Sequence, residues 1–392
     1  MLIQNGFIVD GINRQVMRGN VFIQKNKIKA INYSQGNDGS ADVIDATDCY
    51  VIPGLIDTHF HGCVGYDFCD ANKAAYRKME EYQLQNGITS ILPATTTLAK
   101  DRLIDICKEA AEYYRESDCF LGLHLEGPFL ASDKKGAQNG EYLCEPDVNL
   151  LTKLQLISDG LIRIVTMAPE LAGAVDCIEK YHNRARELFG KGNEPRVQFS
   201  IGHTMADYDA AVGAIKKGMG HITHLYNGMP SFSHRSPSVV GAAMDEGAMV
   251  ELIADGVHVH DSVIRSTFRM FGEGRVILVS DSMMATGMSD GDYSLGGLPV
   301  KVEGRYATLE DGTLAGSVTN LFACLKNTVQ SGVLLPVAVR AATYNAAEVL
   351  RMENVIGSIE TGKQADILVV EKAGEGMLGE IRHVIKNGVK VY

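Results

Sequence analysis

Short apolar runs recur through the middle of the chain, each ending on a polar or charged residue and most followed by a longer stretch with helical spacing. They are Val51 to His61, Ile88 to Thr95, Phe120 to Glu126, Ile162 to Glu170, Val197 to His203, Gly220 to His224, Met249 to His258 and Val276 to Asp281. Runs of this kind predict buried parallel strands, and the stretches between them predict crossover helices. Eight such units over residues 51–350 predict an α/β chain whose centre is a (β/α)8, TIM-like barrel. An open doubly wound sheet usually has fewer strands and a Gly-rich phosphate turn after the first. Neither a GxGxxG nor a P-loop pattern occurs.

Both ends read instead as β structure. Leu2 to Gln4 and Phe7 to Val9 flank Asn5-Gly6, and Val21 to Gln24 and Ile28 to Ile31 flank a Lys-Asn-Lys turn. Ala365 to Val370 has a buried-strand pattern, and Val384 to Lys386 and Val389 to Val391 flank Asn387-Gly388. The Asn-Gly pairs and the polar turn predict hairpins. Two short β pieces are marginal alone. Residues 1–50 and 351–392 are therefore expected to pair into one small β-sandwich domain built from both termini, with the barrel inserted between them. The Gly-, Ser- and Asp-rich stretch Ser289 to Gly297 reads as an ordinary connection or a lid.

Composition narrows the partners. The 392 residues include 48 Asp plus Glu against 37 Lys plus Arg, a net charge of -11, with no basic run to offset it. Nucleic acid and anionic membranes are disfavoured as partners by that field. No run of about 18 uncharged apolar residues occurs, and the N-terminus lacks a leader pattern. The eight cysteines form no CxxC pair and read as reduced thiols. The expectation is a soluble, cytoplasmic protein.

In a barrel the chemistry gathers where strands end. Here the strand ends carry His59, His61, Glu126, His203, His224, His258 and Asp281. His59 and His61 lie two apart, so a strand turns both imidazoles to one face and one ion. Glu126 ends an apolar run, where a carboxylate is costly unless it meets a cation. His124 shares the face of Glu126 and is a candidate to support the ligands from behind. His221, opposite His224 by alternation, is assigned to the layer between strands and helices. An Asp at the last strand can bind an ion and exchange a proton with a water whose pKa falls toward ~7 on zinc. Mixed imidazole and carboxylate donors suit Zn or Fe(II), with Mn or Co as further options.

These residues resemble the amidohydrolase superfamily: His59-Phe60-His61-Gly62 after the first strand, then His203, His224 and Asp281. His124-Leu125-Glu126-Gly127-Pro128-Phe129 and His224-Leu225-Tyr226-Asn227-Gly228-Met229 resemble, more specifically, its branch of deacetylases acting on phosphorylated amino sugars. The resemblance covers essentially the whole chain. It implies that Glu126, His203 and His224 hold the principal metal ion and that His59 and His61 complete a second site, so that one or two ions bind per subunit. Asp281 would be the general base. Gln138 sits where other members carry a His that hydrogen-bonds the acetamide carbonyl. Asn227 and the Gly228 backbone would grip the phosphate, and Arg235 would reach it from the neighbouring subunit of a homodimer. His258 would contact sugar hydroxyls or phosphate, and Leu314, Ala315 and Gly316 would wall the acetyl group. The implied reaction is hydrolysis of N-acetyl-D-glucosamine 6-phosphate to D-glucosamine 6-phosphate and acetate, in amino-sugar catabolism or recycling. The galactosamine epimer is the nearest alternative substrate. A barrel without catalysis is disfavoured because all six donors are present.

Overall fold

The computed structural model describes residues 1–32 and 42–392. Eight parallel strands form the barrel: β1 (Leu55–Asp57), β2 (Ile88–Ile91), β3 (Leu123–Glu126), β4 (Ile162–Met167), β5 (Gln198–Ile201), β6 (His221–Ile222), β7 (Met249–Ile253) and β8 (Val276–Val279). Strands β3 to β8 make one uninterrupted six-stranded sheet in sequence order, and β1 pairs with β2. Single parallel bridges, Ile91 with Phe120 and Ala94 with His124, join β2 to β3. Beyond the ends of β8 and β1 the ring closes through Asp281 N–H to His59 O at 2.9 Å and His61 N–H to Ser282 O at 2.7 Å. The chain is therefore an α/β barrel, as its alternating runs predict.

A helix follows each barrel strand and covers it. Asp261–Phe271 shows why: Ile264, Thr267, Phe268 and Phe271 are buried at helical spacing, and the His260 side chain accepts the Ser262 N–H at its start.

The two termini meet in one eight-stranded sheet, where Cys49–Pro53 pairs antiparallel with Ile367–Gly374. Its apolar face, including Ile8, Val21, Ile23, Val51, Val369 and Ile385, forms a core separate from that of the barrel. The run read as Val51 to His61 is divided at Gly54. Its first part belongs to this terminal sheet, and only Leu55–Asp57 enters the barrel. A side chain at Gly54 would lie 2.1 Å from Thr89 Oγ1, so the crossing point has no room for one.

Two hairpin expectations describe the ends correctly, and one does not. Ile385 pairs with Lys390 around Asn387 and Gly388, both at positive φ, and Gln24 pairs with Lys27. Asn5-Gly6 is no turn: Leu2–Asp10 is one strand with a bulge there, Asn5 having φ 65°. Asn5 is held by its N–H to Asn20 Oδ1 and its side chain to Asp45, so the strand absorbs the kink.

The stretch Ser289 to Gly297 is also more than a connection. Gly291–Leu295 is the first strand of a small antiparallel sheet with Leu298–Glu303 and Tyr306–Thr308, inserted after β8. Leu295, Val300, Val302 and Ala307 pack with Ala137, Met283 and Ala315 beside the barrel mouth. Among the described residues, no helix is long and apolar enough to cross a membrane. All eight cysteines are free, seven of them buried.

Candidate active site

Polar side chains at the barrel mouth converge on Glu126, the last residue of β3. Its Oε1 lies 3.1 Å from His203 Nε2 and 3.0 Å from His224 Nε2, and those two nitrogens are 3.0 Å from each other. Its Oε2 lies 3.2 Å from His61 Nε2. Asp281 Oδ1 sits 3.3 Å from His61 Nε2 and 3.6 Å from His59 Nε2. The six donors fall into two adjacent groups, Glu126 with His203 and His224, and His59 with His61 and Asp281.

The backbone explains the convergence. His203, His224 and Asp281 each follow a short strand and take positive φ, 49°, 29° and 48°. Side chains beyond the strand end thus escape the pleat's alternation and turn to the barrel axis, at a conformational cost of about 1–3 kcal/mol each. Gly228, φ 59°, leaves space for the His203 ring: a side chain there would lie 3.1 Å from Nδ1.

The donor set fits a divalent cation. Two imidazole nitrogens and a carboxylate oxygen mutually about 3 Å apart leave one shared proton too few for three hydrogen bonds. Ligands about 2.0–2.1 Å from one tetrahedral ion are spaced similarly. His59 Nε2 is buried without a hydrogen-bond partner and faces Glu126 and Asp281. The electrostatics agree. Burial works against charge on His61, yet its hydrogen bonds to Asp281 and Glu126 push its pKa up to about 9. Burial would raise Asp281, but His59 and His61 bring it down to about 2. The pocket stabilises positive charge next to its carboxylates.

Above the donors lies a cavity of about 240 Å³. Gln138, Asn227, Gly228, His258, Leu314 and Gly316 line it. Gln138 is buried, with Nε2 donating to Glu126 Oε2 at 2.8 Å and Oε1 accepting the Thr97 N–H at 2.6 Å. Asn227 Nδ2 donates to the carbonyls of His224 and Leu225. His258 Nδ1 bonds Asp255 Oδ2 at 2.9 Å, and this pairing outweighs burial and raises its pKa. Ala315 is fully buried in the core beside the mouth and does not line the cavity. Arg235 is exposed on the loop between β6 and the next helix, away from this cavity.

Below the donors the barrel interior is polar. His124 bonds the Thr58 carbonyl at 3.2 Å and Thr166 Oγ1 at 2.7 Å, and burial lowers its pKa to about 3. His221 is also interior and not in the strand–helix layer. Its Nδ1 lies 2.9 Å from Ser200 Oγ and its Nε2 3.8 Å from Glu251 Oε1. The alternation argument fails because β6 is two residues long and His224, past its end, has left-handed backbone. Glu251, in the middle of β7, was not singled out by the sequence pattern. It is buried and bonds His59 Nδ1 and the His224 N–H. The available signal was an acid inside a five-residue apolar strand.

The amidohydrolase family model matches residues 50–391. N-acetylglucosamine-6-phosphate deacetylase of Bacillus subtilis (strain 168) is 35% identical over 375 residues, 93% of this chain and 92% of that one. N-acetylgalactosamine-6-phosphate deacetylase of Escherichia coli O157:H7 is 33% identical over 324 residues, 81% of this chain and 83% of that one. The structure of a Mycobacterium smegmatis N-acetyl-D-glucosamine-6-phosphate deacetylase variant in complex with N-acetyl-D-glucosamine-6-phosphate superposes with a TM-score of 0.89, at 29% identity, covering 100% of this chain and 99% of that one.

Proposed function

The chain belongs to the amidohydrolase family, and from that premise we propose that it hydrolyses N-acetyl-D-glucosamine 6-phosphate to D-glucosamine 6-phosphate and acetate. The observation that carries this is one carboxylate, Glu126, within 3.5 Å of four imidazoles beside Asp281, at the floor of an open cavity. The relatives' shared activity supplies the substrate class.

Members of the family depend on metal, and the donors fit a divalent ion. Glu126, His203 and His224 would hold the principal ion, and His59, His61 and Asp281 a second. Such an ion, Zn or Fe(II) on this donor set, would polarise the acetyl carbonyl and acidify a water. Asp281, ionised at neutral pH, accepts a proton as the water oxygen bonds the amide carbon, then delivers it to the nitrogen as the C–N bond breaks. Gln138 keeps one N–H on Glu126 and has a second to offer the developing oxyanion. Asn227 and the Gly228 backbone hold the phosphate, His258 contacts the sugar or its phosphate, and Leu314 with Gly316 limits the acyl group to acetyl. Arg235, exposed here, reaches the phosphate of the other subunit in a homodimer, where its planar fork matches two oxygens. The buried free cysteines suit the cytoplasm.

Acetate release from both phosphorylated epimers and the unphosphorylated sugar, with metal quantified on the same protein, tests this reading. The glucosamine epimer should be preferred and the unphosphorylated sugar poor. A preference for the galactosamine epimer would support the second reading, which the Escherichia coli relative favours. Preference for the unphosphorylated sugar would overturn the phosphate grip.

A further inference from the structure

We propose that Glu251 is a positioning residue that holds both metal subsites at once, by fixing the ring of His59 and the backbone turn at His224. The inference rests on the metal reading given above.

Glu251 sits at the centre of β7 between Val250 and Leu252, with no accessible surface. A buried carboxylate without compensation is among the costliest groups a core can contain. Its committed hydrogen bonds go to two residues only. Oε2 accepts from His59 Nδ1 at 2.9 Å and from the His224 N–H at 3.2 Å. No Lys or Arg pairs with it among the described residues, so it is not half of a structural ion pair.

Each bond has a consequence at the mouth. With Nδ1 donating to Glu251, neutral His59 carries its lone pair on Nε2, the nitrogen that faces Glu126 and Asp281 without a partner. The carboxylate thus selects the tautomer a metal ligand needs and stops the ring from rotating. The second bond satisfies the N–H of a residue held at φ 29°, a conformation that non-glycine residues rarely adopt. A charge-assisted bond at that point steadies the turn that aims the His224 ring.

The other oxygen supports this assignment over a third ion site. Oε1 lies 3.8 Å from His221 Nε2 and 4.0 Å from His124 Nδ1, too far for hydrogen bonds. His124 already engages Thr58 and Thr166 with its two nitrogens, so it has no lone pair converging with Glu251 on an ion.

The test is metal titration of chelator-stripped protein with Zn(II) or Co(II), by calorimetry and elemental analysis, for wild type, Glu251→Gln, His59→Gln and the double variant. Glu251→Gln should weaken binding at the His59 subsite by about 10- to 100-fold and weaken the His224 subsite less, while thermal unfolding of the metal-free protein shows that it folds. In the His59→Gln background most of that loss should disappear, because the effect runs through His59. Unchanged affinity in Glu251→Gln, or an undiminished penalty in the double variant, overturns the inference. If Glu251→Gln does not fold, Glu251→Asp replaces it: the shorter side chain keeps the charge but withdraws from both donors, and should show the same loss. Retention of both ions by Glu251→Asp would overturn the inference. A wild-type protein that takes up no ion overturns the metal reading itself, and this inference with it.

Discussion

The two groups of donors at the mouth are built differently. Glu126, His203 and His224 end or follow β3, β5 and β6, strands of one unbroken hydrogen-bonded sheet. His59, His61 and Asp281 lie across the seam where β8 meets β1, which no strand pairing spans. There the chain is joined by backbone bonds from Asp281 to His59 and from His61 and Gly62 to Ser282, and by the buried Asp57, which accepts from Ser280 Oγ at 2.6 Å and from the Ser280 and His59 N–H groups. One group is placed mainly by backbone ladder, with Glu251 steadying only the His224 turn, and the other mainly by buried carboxylates. The first should tolerate side-chain changes beneath it better than the second.

The largest effect is expected from the seam's reacting group. Asp281→Asn keeps the shape of the side chain but removes the proton acceptor, and turnover should fall by about 10²–10⁴-fold. Elemental analysis of the same variant should still find the ion of the Glu126 group. Near-normal acetate release from Asp281→Asn would move the proton transfer to another residue.

Next comes the seam's fastening. Asp57→Ala removes the acceptor for three donors, two of them buried on Ser280, and should lower the urea-unfolding stability of metal-free protein by about 2–4 kcal/mol. If that variant unfolds like wild type, the seam is held by backbone alone and the contrast with the other group vanishes.

Much of this was legible in the sequence because strand ends are marked chemically. Six donors terminate apolar runs, and His59 with His61 shows the two-residue period directly. What was hidden lies where a local rule stops applying. Alternation says nothing about a side chain beyond a two-residue strand, so His221 was turned outward. Glu251 was absorbed into a strand because its compensation comes from His59 and His224, 192 and 27 positions away. The inserted sheet at the mouth hid behind its glycines, although Val300 and Val302 alternate with the exposed Lys301 and Glu303.

A smaller effect belongs to the cavity wall. Asp255 and, at longer range, Asp281 keep His258 protonated above its ordinary pKa of 6.5 despite burial. Raised in this way, the charge is present in full at acid pH and lost as pH climbs through the elevated value. KM for the phosphorylated sugar should stay level through pH 6.5 and rise only above it. His258→Asn should raise KM about tenfold, roughly 1.4 kcal/mol, and flatten that rise. A pH profile of KM that persists in the variant would assign the titration elsewhere.

The smallest effect tests the ladder side of the comparison. Ser200 lies in β5, and its hydroxyl meets Thr223 Oγ1 at 2.5 Å and His221 Nδ1 at 2.9 Å, directly beneath His203 and His224. Its backbone, however, is fixed by pairing with Thr166 on one side and His221 on the other. Ser200→Ala should cost about 1 kcal/mol in stability and leave metal affinity at the Glu126 group unchanged, because the strands continue to aim those ligands without the hydroxyl. The matched measurement is the zinc titration used for Glu251. A loss of the principal ion in Ser200→Ala would mean that this side also depends on buried side chains, and the two halves of the mouth would then be built alike.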